Sequence, residues 1–132
     1  MKALGGMLAA VGLAGCATLE APSCPAGQEH LRTAQLFLGG QPGAPAVRDA
    51  ELRTFVDQEI TPRFPNGVTV LDGGGQWRGA ENQLIRQAQK VVLIVLPARG
   101  DTQKRLQAVR TAYQTRFRQD SVVVTQAACV AV

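Results

Sequence analysis

The segment KVVLIVLP, residues 90–97, is apolar at every position from Val91 to Leu96. Successive side chains of a strand point to opposite faces, so Val91, Leu93 and Val95 face one way and Val92, Ile94 and Leu96 the other. A strand that is apolar on both sides belongs inside a sheet, with cover on each face. The rest of the chain has to supply both the neighbours and the cover.

Three further strands and two helices follow from pattern. Residues 29–39 alternate, with Ala34, Leu36 and Leu38 on one face and Leu31, Thr33, Gln35 and Phe37 on the other, which predicts a second central strand. Asp49 is placed to cap a helix over 50–60, whose Leu52, Phe55, Val56 and Ile60 recur at helical spacing before Pro62 ends it. After the Pro65-Asn66-Gly67 turn, the β-branched run 68–72 predicts a strand. Gly73-Gly74-Gly75 predicts a bulge or sharp bend, after which Trp77 and Arg78 resume and Leu84–Arg86 return antiparallel, with an irregularity near 87–89. Residues 102–118 carry a stripe of Leu106, Val109, Tyr113 and Phe117, and 121–132 closes the chain as a strand.

The order strand, helix, strand, strand, helix, strand predicts a ferredoxin-like α+β domain over residues 29–132. Its antiparallel sheet has the order 4-1-3-2, with both helices on one face. Two helices cover one face only. The other, apolar face has to meet a second copy, its own hairpin, a partner or a ligand.

The residues before this domain read differently. Met1 and Lys2 precede an apolar run, Ala3–Gly15, that is shorter than the ~20 residues of a membrane-spanning helix and reads as a signal peptide over 1–15. Leu13-Ala14-Gly15-Cys16 resembles the bacterial lipobox, in which the cysteine carries the lipid. The expectation is a chain anchored through Cys16, with residues 16–28 as a flexible tether. Ala17, in place of an aspartate, favours the outer membrane, with the domain facing the periplasm. The 14 basic side chains against 10 acidic ones are scattered, with no basic stripe interleaved with aromatics, which argues against nucleic acid as a partner.

With Cys16 assigned to lipid, Cys24 and Cys129 remain. In the 4-1-3-2 order the end of the fourth strand lies beside the start of the first, which allows a disulfide closing a loop of about 100 residues. The alternative is two unpaired thiols. Neither cysteine has a metal-ligand spacing and His30 is the one histidine, so no metal or other cofactor is expected.

The stretches TAQLFLG, FVDQEITPRFPNGVTVLD, GQWRG and AVRTAYQTRF before QDSVVV resemble, in order and over residues 29–132, an uncharacterised bacterial family known as the domain of unknown function 3574 family. That resemblance implies a small secreted or lipid-anchored domain and carries no reaction with it.

The candidate site residues cluster in sequence around the glycine run. Arg63 and Arg78 can grip a carboxylate or phosphate in a forked geometry, and Trp77 offers a broad stacking face beside Asp72. A purely structural reading pairs Asp72 with an arginine and lets Trp77 cover the open end of the sheet. The glycines lack the following helix and the G-K-[ST] of a phosphate loop. No carboxylate pair, nucleophile–base pair or ligand set is visible, so the function expected is binding or interaction. The alternative is a small enzyme or ligand-binding protein similar to the dimeric α+β barrels, with Arg63, Asp72, Trp77 or His30 lining a pocket on the open face.

Overall fold

Four strands and two helices follow one another as β1 (Gln28–Gly39), α1 (Asp49–Phe55), β2 (Val68–Arg78), β3 (Leu84–Val95), α2 (Thr102–Phe117) and β4 (Ser121–Ala131). They come from a computed structural model that describes residues 23–131. The predicted signal peptide, Cys16 and the first part of the tether lie outside the described residues. The sheet order is β2-β3-β1-β4 with every neighbour antiparallel, which is the ferredoxin-like arrangement expected from the pattern of elements.

One face of the sheet holds the core. Ala34, Leu36 and Leu38 of β1 and Val92 and Ile94 of β3 are buried against Leu52, Phe55, Val56 and Ile60 from the first helical segment and Leu106, Val109 and Tyr113 from the second. Phe55 meets both Tyr113 and Phe117 edge-on at 5.7 Å between ring centroids, and Arg116 lies 5.4 Å above its ring. Edge-on aromatic pairs add to the area term that buries them. The Tyr113 hydroxyl donates to Gln119 Oε1 at 3.3 Å, and Gln119 Nε2 donates to the Pro45 carbonyl at 2.7 Å, fixing the long β1–α1 loop against the end of α2.

The helix ends differ from expectation in one respect. Arg48, not Asp49, occupies the capping position of α1, with its backbone N–H and its guanidinium both directed to Glu51. Asp49 lies inside the helix, where its carboxylate accepts from Lys90. The ammonium outcompetes the helix backbone for that side chain. The helix continues as a wider turn over Val56–Ile60, and α2 is capped by Asp101, whose side chain accepts from the Lys104 N–H at 2.9 Å.

The glycine run neither bulges nor bends. β2 and β3 pair one residue for one from Val68 opposite Ile94 to Arg78 opposite Leu84, straight through Gly73, Gly74 and Gly75 and through Gln87–Gln89. None of the three glycines has a positive φ; ordinary extended backbone suits them. β1 stops at Gly39 opposite Gln89, where Gly39 and Gly40 take φ of +81° and +77° and turn the chain away. From Gly74 and Ala88 onward β2 and β3 therefore continue as a two-stranded arm, closed by a turn in which Glu81 and Asn82 both have positive φ.

Cys24 and Cys129 form a disulfide across 105 residues of sequence, with Cα atoms 5.4 Å apart. The register explains it, since His30 of β1 lies opposite Cys129 of β4 and the chain before β1 folds back onto that end.

Closing a loop of this length restricts the unfolded chain, so Cys129→Ser is expected to lower the unfolding free energy by about 4–5 kcal/mol. Phe55→Ala, which empties the centre of the aromatic cluster, is expected to cost about 3–5 kcal/mol. Denaturant unfolding without reductant measures both; a loss below 1 kcal/mol for either contradicts the role assigned to it.

Candidate functional site

The four residues singled out by sequence do not converge. Arg63 follows the first helical segment, where its guanidinium donates to the Glu59 carbonyl at 2.7 Å and to Glu59 Oε2 at 2.9 Å. It precedes the start of β2, whereas Trp77 and Arg78 are at the far end of that strand, ~30 Å away at ~3.3 Å per residue. Arg78 donates to the carbonyl and side chain of Asn82 across the arm's turn. Trp77 lies opposite Ile85. Alternation sets Trp77 and Asp72 on different faces of the sheet: Asp72 shares the helix face with Val70 and Trp77 shares the open face with Leu71.

Asp72 is part of a cluster that sequence reasoning missed. Lys90 lies opposite it in the ladder and donates to both Asp72 and Asp49, tying β2, β3 and α1 together. Leu52, Arg53, Val56 and Val70 complete a cleft of about 200 Å³ around the three charges. The Lys90 ammonium holds the Asp49 carboxyl below its ordinary range, and the hydrogen bonds it donates to the two carboxylates hold Lys90 above its own. Lys90 is therefore a cation throughout the neutral range and is not a base. The signal was available in the hairpin: folding about Glu81 sets Asp72 opposite Lys90, once the glycines are read as plain strand.

His30 lies beside the disulfide, its ring nitrogen within 4.8 Å of the Cys24 and Cys129 sulfurs. Those sulfurs are bonded to each other, so thiolate ligation is closed while the bond stands.

The helix-free face is different in character. The ladder aligns Leu71, Val91, Phe37 and Val122 in one row across all four strands, and Thr69, Leu93, Gln35 and Val124 in the next. Val95, Thr33 and Gln126 follow, with Gln35 and Gln126 joined by a side-chain hydrogen bond of 3.4 Å. Toward the arm the face continues over Gly73 and Gly75, which leave backbone bare beside Gln87 and Gln89, and ends at Trp77 and Ile85. The Trp77 ring lies back toward Gly75, where an added Cβ would meet its Cζ3 at 3.9 Å. None of the side chains in these rows is ionisable. The surface can bury apolar area and hydrogen-bond through amides; it offers no group for proton transfer.

The sequence matches the model of a family described as a protein of unknown function, DUF3574, over residues 33–132. No curated protein matches it. Among solved structures, a phage SAM lyase in complex with S-methyl-5'-thioadenosine superposes with a TM-score of 0.54 at 13% identity, covering 88% of this chain and 97% of that one. The same lyase in its apo state gives 0.52 at 14% identity, over 86% and 97%. CutA from Synechococcus elongatus gives 0.49 at 13% identity, over 77% and 86%. At such identities the lyase likeness shows the fold alone.

The charge cluster predicts a specific pH response. Asp49 is depressed, so its pairing contributes fully above the ordinary carboxylate range and is lost as pH falls through the lowered value; Lys90 is raised, so its contribution is lost as pH rises through the raised value. In Lys90→Met the Asp49 carboxyl is expected to titrate at higher pH than in the wild type, read by carboxyl-carbon NMR. An unmoved Asp49 titration contradicts the pairing.

Proposed function

The chain belongs to the DUF3574 family of proteins of unknown function, and on that premise we propose that it is a binding module of the cell envelope whose working surface is the open sheet face. The observation that carries this reading is the pair of uncharged rows through Phe37 and Gln35, which cross all four strands on the side that neither helix covers. A contiguous apolar row such as Leu71, Val91, Phe37 and Val122, left without cover, marks a surface that something is built to lie on. The Trp77–Ile85 end of the arm extends the same surface and adds an aromatic anchor of the kind that concentrates binding energy.

Attachment to the membrane belongs to the same proposal. Lipid on Cys16, in the lipobox-like Leu13–Cys16, would hold the chain at the outer membrane facing the periplasm. The part of the tether from residue 16 to the disulfide at Cys24 would let the face reach its partner, extending to roughly 25 Å when drawn out at ~3.3 Å per residue. The disulfide suits an oxidising compartment.

A second reading, a ligand-binding protein or small enzyme similar to dimeric α+β barrels, rests on the glycine floor beside Trp77, which would admit a flat apolar ring. The interaction reading is better supported because the rows hold no acid, base or nucleophile.

Cys16→Ser is expected to move the chain from the membrane to the soluble fraction; membrane fractionation of this variant as strong as wild type removes the lipid claim. Phe37, half-buried at the centre of the face, tests the surface. Wild type in detergent extracts of the envelope is expected to migrate above the mass of a single chain, and Phe37→Arg, with unchanged circular dichroism, at that mass. Wild type migrating as a single chain counts against the open face as a binding surface.

A further inference from the structure

Among the described residues, both outer strands of the sheet lack a second strand partner. In the order β2-β3-β1-β4, β2 and β4 each pair on one side only, and each is eleven residues long. Free edges are ordinarily blunted by lysine, proline, a bulge or brevity. Here β4 carries no charged side chain and no proline, and β2 carries no lysine or proline, pairs without a bulge, and has its two charges, Asp72 and Arg78, engaged by Lys90 and Asn82. The large apolar side chains left exposed lie at these margins: Val70 and Leu71 on β2, Val122 and Val124 on β4, and Leu84 on the arm, where β3 has lost its β1 neighbour. Leu71 is 50% and Val122 62% exposed, at the two ends of the row through Val91 and Phe37. The row is most exposed where a solitary sheet would turn polar.

We propose that copies of this chain pair head to tail, β4 of one against β2 of the next, and close into a ring whose inner wall is the open sheet faces. This rests on the open-face reading and names the partner as a second copy. The strand directions permit it: β2 is antiparallel to β3, and β3 and β4 are both antiparallel to β1, so β2 and β4 run oppositely. A neighbour set alongside without being turned over thus adds β2 to β4 as one more antiparallel pair, with its helices on the same side.

In the register that uses both edges fully, Ser121 meets the neighbour's Arg78 and Ala131 its Val68. Face parity is preserved. Val122 then falls opposite Trp77, Val124 opposite Gly75, Gln126 opposite Gly73 and Ala128 opposite Leu71. The glycines, which have no side chain to offer on that face, become the positions over which the larger residues of β4 lean, and Trp77 covers the most exposed valine. A two-fold pairing of β4 with β4, or of β2 with β2, leaves the other apolar edge in water; head-to-tail pairing covers both. It also displaces each copy along its neighbour, the stagger that closing a sheet into a barrel requires. A head-to-tail contact yields a closed ring or an open filament, and a closed ring has one fixed size.

The test uses the purified full-length chain in mild detergent, with single-edge variants at exposed sites, Val122→Lys on β4 and Leu71→Lys on β2. Native mass spectrometry is expected to show wild type as one species at a fixed integer multiple of the chain mass, at every concentration above dissociation. Each variant alone is expected to fall to the single-chain mass, because every contact of the ring uses both edges, and an equimolar mixture to give a one-to-one dimer, because the intact β4 of one variant meets the intact β2 of the other. A photoreactive residue at position 122 is expected to cross-link to residues 68–78 of another copy. A single-chain mass for purified wild type, adducts from 122 to β4 of another copy, or a wild-type mass unchanged by both lysines overturns the proposal; a ladder of sizes overturns closure. If purified wild type is a single chain while the envelope extract still holds a complex that Phe37→Arg releases, the open face binds a different partner and only the head-to-tail inference falls.

Discussion

Cover is the limiting resource in this molecule. β3 and β1 run through the middle of the sheet with apolar side chains on both faces, and two helices can shield one of them. Everything well buried lies on that shielded side, from Ala34, Leu36 and Leu38 to the aromatic cluster around Phe55. The other side carries Phe37, Val91, Leu93 and Val95 among Thr33, Gln35 and Thr69, without a helix above it. A chain of this size that needed only to fold would place polar residues along that whole face, and this one sets Phe37, Val91 and Leu93 at its centre beside Gln35.

How far the sequence discloses this follows from how local each signal is. The strand pattern at 90–97, the alternation through β1 and the helical stripe of Leu106, Val109 and Tyr113 are local, and each appears where the spacing puts it. The sheet order and the meeting of Cys24 with Cys129 follow from fitting those elements to one layout. The glycine run misleads because permissive backbone is read as irregular backbone: glycine allows a bulge but does not demand one, and a β3 partner that pairs through it holds it straight. That misreading hid the hairpin register, and with it Lys90 between Asp72 and Asp49. Arg63 looks close to Trp77 along the chain, but the length of β2 separates them in space.

The electrostatics of the helix side are structural in kind. Lys90 joins two strands to a helix, and Arg63 with Arg116 converges on Glu59, so charges are used to tie elements together at the rim of the core. The open side contains none of them along its central rows. The two faces thus divide labour, with polar fastening on one and uncharged contact area on the other, and likeness in fold to a phage enzyme does not by itself lend this face a reaction.

The bond between Cys24 and Cys129 has a mechanical consequence. Any pull on the chain ahead of Cys24 divides at that sulfur bridge, one share passing into the first residues of β1 and the other directly into the last residues of β4. The two strands are loaded together from the same end, so the force cannot peel β1 away from β4 one hydrogen bond at a time. The domain is gripped by a pair of neighbouring strands, and tension on its leading segment is carried by covalent bonds before it reaches the ladder between them.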